Sequence, residues 1–246
     1  MWRTIGLSVG MPSKLVCQDA HRWHLLDENT LLFTVADGAG TAPRAEIGAD
    51  IASRAALDYL VHQTTVAGVP KWEQDSCALV QGAMWTALDA LRVEATRQST
   101  SLDNYATTLI VAISTPEFIV VAQVGDGIVF VSDANGKIVR LTVPQRGEYS
   151  NETCMLTSLS APEKVQIVFW NQPITGLAAM TDGLLPITTT LPLYEPYSPF
   201  FTNMFSFLRK TADMQEAQAK LRGFLLSDKV QNGTGDDLTL ILAVSI

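Results

Sequence analysis

The chain has 246 residues, 47% of them apolar and 17% charged, enough apolar surface to offset the entropy of ordering a core, which excludes disorder as the resting state. Acidic residues number 25 against 17 Lys and Arg, for a net charge of −8, the wrong sign for a general nucleic-acid binder or for docking on an anionic membrane. No apolar run reaches the roughly 18 residues of a membrane span.

Residues 2–9 fit a first strand. The apolar stretch at 5–11 contains Gly6 and Gly10 and is broken by Pro12 and Lys14, so it reads as strand and loop rather than as a leader, and the protein as cytoplasmic. Residues 22–26 and 30–36 read as two further strands. A helix is expected over 43–64, with Pro43 in its first turn and Ile47, Ile51, Ala55 and Leu57 near one face. A second is expected over 72–98, with Leu79, Ala83, Leu88 and Leu91 inward. The period then shortens to that of strands at 107–113, 118–124, 128–132 and 137–141. Residues 143–164 lack a period and read as a loop or flap. Strands resume at 165–170 and 176–180, and 188–199, rich in Thr and Pro, reads as irregular. Helices near 200–210 and 213–226 precede a closing strand at 237–245.

This order predicts an α+β fold in which two mainly antiparallel sheets form a β-sandwich with helices on both outer faces. With no linker, repeat or low-complexity tract, residues 1–246 are expected to form a single domain. Cys17, Cys77 and Cys154 are odd in number, far apart and without a CxxC pair, which argues against a zinc ribbon or a disulfide framework. Trp72, Trp85 and Trp170 read as core or half-buried packing residues. In the stretch 194–201, packing of aromatic residues is favoured over partner docking.

The chemistry lies in aspartates at strand ends, most of them beside glycine. Asp37-Gly38 follows Leu31–Ala36, Asp126-Gly127 follows a run of valines, Asp182-Gly183 follows residues 176–181, and Asp236-Asp237 precedes the last strand; Asp19 sits in Cys17-Gln18-Asp19-Ala20. One Asp-Gly is most simply a tight turn, and Asp126-Gly127 between two hairpin strands is the plainest case. Several apolar strands each delivering a carboxylate to a tip suggest convergence, and converging carboxylates need a cation. Short oxygen donors suit Mg²⁺ or Mn²⁺. Zinc is disfavoured, because His21, His24 and His62 have no ligand spacing. His21 and His24 lie near the first motif, yet a surface or supporting role suits them better than ligation.

These residues resemble the metal-dependent protein serine/threonine phosphatases of the PPM (protein phosphatase 2C) family, in a compact bacterial form. Cys17-Gln18-Asp19-Ala20 is similar to the family's opening acidic motif and Asp37-Gly38-Ala39-Gly40 to its DGxGG motif. Thr107-Thr108 resembles its (S/G)TT strand and Val124-Gly125-Asp126 its VGD hairpin. Thr181-Asp182-Gly183-Leu184 resembles (S/T)DGL, and Gly235-Asp236-Asp237-Leu238-Thr239 the terminal DNxT/S motif. The six stand in family order over nearly the whole chain.

The resemblance implies hydrolysis of phosphoserine and phosphothreonine on proteins by a metal-bound water, with two Mg²⁺ or Mn²⁺ ions in a cleft at one end of the sandwich. It implies that Asp37 bridges the two metals, that the Gly38 carbonyl ligates one, that Asp182 and Asp236 complete the first, and that Asp19 serves the second directly or through water. Lys14 stands in the place of a phosphate-binding Arg, offering a point charge without a bidentate fork. Gln18 replaces a frequent Glu, Ala39 stands where animal members have a proposed acid His, Gly127-Ile128 replaces Ser-Arg, and Asp237 replaces Asn. Pro186 replaces a further acidic residue of some members, which leaves open a third, weaker ion at Asp126 and Asp182. The implied partner is a phosphoprotein substrate, opposed by a Ser/Thr kinase, with neither nucleic acid nor membrane involved. Two other readings compete. A catalytically weak pseudophosphatase acting as an interaction module would be marked by lost ligands, and the core aspartates stand. A haloacid-dehalogenase-type enzyme needs a second Asp two residues after Asp37, where Ala39 stands.

Overall fold

The computed structural model describes residues 1–12, 14–70, 72–145 and 153–246. The chain opens with strands β1 (Trp2–Val9), β2 (Asp19–Leu25) and β3 (Leu31–Asp37), followed by helices α1 (Ala45–Ala67) and α2 (Glu73–Arg97). Strands β4 (Leu109–Ser114), β5 (Ile119–Val124), β6 (Ile128–Asp133) and β7 (Ile138–Arg140) come next, then the short helix α3 (Ala161–Lys164), β8 (Gln166–Trp170) and β9 (Ile174–Met180). The last third holds α4 (Leu185–Thr188), β10 (Thr189–Thr190), β11 (Glu195–Pro196), α5 (Ser198–Lys210), α6 (Met214–Leu225), α7 (Asp228–Gln231) and β12 (Leu238–Ser245).

Two five-stranded sheets, ordered β1-β12-β9-β6-β7 and β2-β3-β4-β5-β8, pair antiparallel throughout. The period of two explains the layers. In β3, Leu31, Phe33 and Val35 face the first sheet, where they meet Val129, Leu177, Ile241 and Ala243. Their neighbours Leu32 and Ala36 face the other way, onto α1 and α2. In β12, Leu240, Leu242 and Val244 turn outward onto Phe201, Phe205 and Leu221 of α5 and α6. Both faces of each sheet are therefore covered, which is why the strands read as continuous apolar runs rather than alternating ones. The α-β-β-α sandwich is as expected.

Several expectations are corrected. Ile47 is exposed, and the inner face of α1 is built from Ala45, Ala49, Ala52 and Ala56, small residues that let the helix lie close to its sheet. Trp72 is 76% exposed: it immediately precedes α2, at its N-cap, outside the packed face of the helix. Residues 188–199 are not wholly irregular, since β10 and β11 pair there as a short hairpin. Of the loop 143–164, residues 146–152 lie outside the described residues, and its end forms α3. Trp85 and Trp170 pack half-buried, and Phe200 and Phe201 are buried. The three cysteines are free. Among the described residues no helix is long and apolar enough to cross a membrane.

Candidate metal centre

The site forms where strands of the two sheets end together. Asp37 closes β3 and Asp19 opens β2, and the antiparallel register sets them directly opposite each other, an arrangement in which like charges repel. The Asp37 backbone is fixed by the adjacent threonines: its N–H donates to Thr108 Oγ1 (3.0 Å), and its carbonyl accepts from the Thr108 N–H (2.8 Å) and Thr107 Oγ1 (3.0 Å). This is the physical reason for a Thr-Thr pair at that point. Gly38 follows in a narrow gap, where a Cβ would stand 2.5 Å from the Ala45 carbonyl oxygen and 2.8 Å from that of Gln18.

Asp126 projects from the turn between β5 and β6, and its Oδ2 accepts a hydrogen bond from Thr153 (2.5 Å). Asp182 opens a 3₁₀ turn, Asp182–Leu184, after β9. Gly183 lets that turn lie on the backbone of the last motif, since a Cβ there would fall 2.1 Å from the Asp237 carbonyl oxygen. The outcome is a trio: carboxylate oxygens of Asp37, Asp126 and Asp182 all lie within 4.8 Å of one another. Asp182 Oδ1 is buried and has no hydrogen-bond partner among the described residues.

Asp19 stands beside this trio. Its carboxylate accepts from Thr181 Oγ1 at 2.8 Å and is also hydrogen-bonded by Thr239. Thr239 lies in β12 of the opposite sheet and Thr181 directly follows its β9, so Asp19 fastens the two sheets at the site. Thr239 continues to Ser8, and Ser8 to His21 Nδ1 (2.7 and 2.8 Å). That chain occupies His21 in support, and burial lowers its pKa.

The expected grouping of Asp37, Asp182 and Asp236 is altered in detail. Asp126, the plainest turn residue in the sequence, belongs to the tight trio. Asp236 lies near enough to raise the pKa of the trio members, but its Oδ1 is ion-paired with Lys14 Nζ. Lys14 also reaches Asp237 Oδ2 at 3.2 Å. Partial burial works against the Lys14 charge, yet Asp236 and Asp237 outweigh it and raise the lysine pKa. Asp237 is the residue whose importance the sequence concealed. Its side chain is fully buried and accepts from the backbone N–H groups of Met11 and Gln18, each at 2.8 Å. It thus ties the segment carrying Lys14, Gln18 and Asp19 to the start of β12. Thr153 was likewise unmarked, because nothing local in the sequence pairs it with Asp126.

Burial is the first cause of the electrostatics here, and mutual repulsion adds to it. Asp19 is pushed up to about 7, Asp182 to about 6, and Asp37 is raised well above the carboxylate range by burial and then by Asp19, Asp182 and Asp126. Carboxylates whose pKa is higher folded than unfolded bind protons on folding, so stability falls as pH rises through their folded values. His21 acts oppositely below about its ordinary 6.5. In EDTA, the melting temperature is therefore expected to rise by about 4 °C or more between pH 8 and pH 6.5, and saturating Mn²⁺ should flatten that slope; scanning calorimetry at the two pH values checks both. Cys17, two residues before Asp19, is no alternative nucleophile: burial pushes its thiol up to about 12, so it is protonated at neutral pH.

The sequence model described as protein phosphatase 2C matches residues 11–226. The chain belongs to the protein phosphatase 2C family. It is 31% identical over 244 residues, 98% of this chain and 94% of the relative, to serine/threonine-protein phosphatase 3 of Escherichia coli (strain K12). The fold is similar to that of the serine/threonine phosphatase Stp1 from Staphylococcus aureus, with a TM-score of 0.68 at 16% identity, covering 100% of this chain and 96% of that one. It is also similar to the catalytic domain of the phosphatase PstP in complex with two manganese ions, with a TM-score of 0.65 at 14% identity, covering 99% and 97% of the two chains.

Proposed function

We propose that this protein is a metal-dependent serine/threonine phosphatase acting on phosphoproteins in the cytoplasm, with residues 1–246 as one catalytic domain and a Ser/Thr kinase as its counterpart in signalling. The observation that carries this reading is the trio Asp37, Asp126 and Asp182, half-buried, within 4.8 Å of one another and without a compensating cation among them. A buried acceptor without a donor among the described residues, Asp182 Oδ1, and an all-oxygen donor set fit hard divalent ions. Family membership and the manganese-containing PstP structure support the same choice.

Asp37, Asp182 and the Gly38 carbonyl would hold two Mg²⁺ or Mn²⁺ ions, with Asp19 and Asp236 at the margins and Asp126 available to a third. When bound, such ions lower the pKa of a water toward neutrality, so that it can attack phosphorus, and neutralise phosphate oxygens. The chain's own contribution is positioning. Thr107 and Thr108 hold the Asp37 backbone, Thr181 and Thr239 hold Asp19, and Thr153 holds Asp126, so little reorganisation is needed at the reacting centre. Asp237 keeps the Lys14 loop against β12.

Lys14 is the cation placed beside the carboxylates, and we assign it the phosphate contact. Lys14→Ala should then raise KM for a phosphopeptide more than it lowers kcat, while Lys14→Arg retains or improves KM through a second hydrogen bond. Unchanged KM in both variants would leave Lys14 only as the counter-ion of Asp236 and Asp237. The activity itself is tested with a phosphothreonine peptide and with p-nitrophenyl phosphate. Phosphate release in Mn²⁺ that EDTA abolishes is expected; release indifferent to EDTA, or none in either metal, rejects the reading.

A further inference from the structure

Away from the carboxylates, helices α5 and α6 leave a half-enclosed apolar groove on the outer face of the first sheet. Its deeper part, about 400 Å³, is lined by Ile187, Phe200, Met204, Phe224 and Val230, with Lys229 at its rim. It continues past Met204 and Phe224 into a second part of about 300 Å³ against Phe207 and Leu221, with Lys220 beside it. The rings of Phe200 and Phe224 pack against each other in its wall, with centroids 6.2 Å apart. The volume is in the range of small-molecule pockets, and the lining is mainly apolar, with Tyr197 and Asn203 as its uncharged polar residues.

Two observations select the occupant. Among the described residues, the charged side chains lining the groove are lysines, Lys229 and Lys220, without an acidic one, in a chain of net charge −8. Lys220 is paired with Glu216, whereas Lys229 makes no ion pair among the described residues, so a single cation at the rim is available. A long apolar trough with one free cation at its mouth suits an amphipathic monoanion. The groove also adjoins the metal loops. Ile187 lies in α4, directly after the Asp182–Leu184 turn. Lys229 and Val230 lie in α7, just ahead of the segment carrying Asp236. Gly233, two residues after α7, lies against α4, since a Cβ there would meet Ile187 Cγ2 at 3.3 Å.

We propose that this groove is an effector site for a medium-chain acyl carboxylate, its head group on Lys229 and its chain along Met204 and Phe224, and that occupancy alters divalent-metal affinity through α4 and α7. Binding stands apart from the phosphatase reading, while the coupling rests on it. The probe is dodecanoate, titrated into metal-free protein labelled at the methionine methyls. A saturable shift of the Met204 methyl is expected, with dodecyltrimethylammonium binding about ten-fold more weakly or not at all. Lys229→Glu should weaken dodecanoate about five-fold, and Met204→Trp, which fills the trough, should abolish it while both variants keep the wild-type melting profile. Saturating dodecanoate should then shift the calorimetric Mn²⁺ affinity about three-fold or more in wild type and not in Met204→Trp, which controls for direct association of Mn²⁺ with the carboxylate. Equal binding of anion and cation, no Met204 response, or an unchanged affinity in the Lys229→Glu and Met204→Trp variants would overturn the site. Concentration-dependent dimerisation blocked by Met204→Trp and indifferent to dodecanoate would overturn it in favour of a second copy of the chain. Binding without a shift in Mn²⁺ affinity would overturn the effector role. Wild-type protein that binds no Mn²⁺ would reject the phosphatase reading, and the dodecanoate titration would still decide the groove.

Discussion

Asp37→Asn is expected to lower Mn²⁺-dependent kcat on a phosphopeptide by about 10²-fold or more, and to raise the melting temperature of the metal-free protein by about 2 °C or more. Both effects have one origin. The Asp37 carboxylate faces Asp19 across the β2–β3 register and lies in a trio with Asp126 and Asp182, so its charge is repelled from three directions in the absence of a cation. The amide is nearly isosteric, and the backbone bonds to Thr107 and Thr108 do not involve the side chain, so the fold is kept. Removing the charge relieves the repulsion that raises its pKa, and on the proposed assignment it also removes a carboxylate that would hold both metals. Steady-state kinetics in Mn²⁺ and calorimetry in EDTA read the two effects separately. Near-normal turnover by this variant contradicts the assignment of Asp37, and a lowered metal-free melting temperature contradicts the electrostatic account.

Asp237→Ala should act through the fold. The side chain is fully buried and is the acceptor for the Met11 and Gln18 N–H groups and for Lys14. Truncation orphans two backbone donors and deprives the ammonium of one partner, at a cost of about 2–4 kcal/mol, equivalent to a fall of about 5–15 °C in melting temperature for a chain of this size. Asp237→Asn keeps an acceptor oxygen without the charge and should lose less. Because the same bonds hold the segment that carries Asp19, the alanine variant should also bind Mn²⁺ more weakly. Thermal denaturation of the two variants checks the order Ala below Asn below wild type; an alanine variant as stable as wild type would show that the Met11–Gln18 loop is held by other means.

The layers were legible because the central strands are buried on both faces, and a run such as Leu31–Ala36 or Leu238–Val244 has no other economical place than between a helix layer and a second sheet. The strand-end aspartates were legible for a related reason, since charge at the tip of an apolar strand stands out. Which tips come closest was not. Asp126 and Asp236 have the same local grammar of an aspartate beside a turn, and only the crossing of the two sheets decides that Asp126 enters the trio while Asp236 turns to Lys14. Asp237 was hidden because its partners are backbone groups more than two hundred residues away in the chain. The inner face of α1 misled in the opposite sense: the helical period drew attention to Ile47, whereas the close helix–sheet approach is made by alanines.

The most direct test of the metal centre is diffraction from Mn²⁺-soaked crystals, recorded to show the anomalous signal of manganese. Manganese peaks are expected bounded by Asp37, Asp182 and the Gly38 carbonyl, with the Asp37 carboxylate at coordination distance, roughly 2.0–2.6 Å, and Asp37→Asn crystals should lose at least one of them. Absence of anomalous density among Asp19, Asp37, Asp126, Asp182 and Asp236 at saturating Mn²⁺, or peaks confined to other carboxylates, would contradict this assignment.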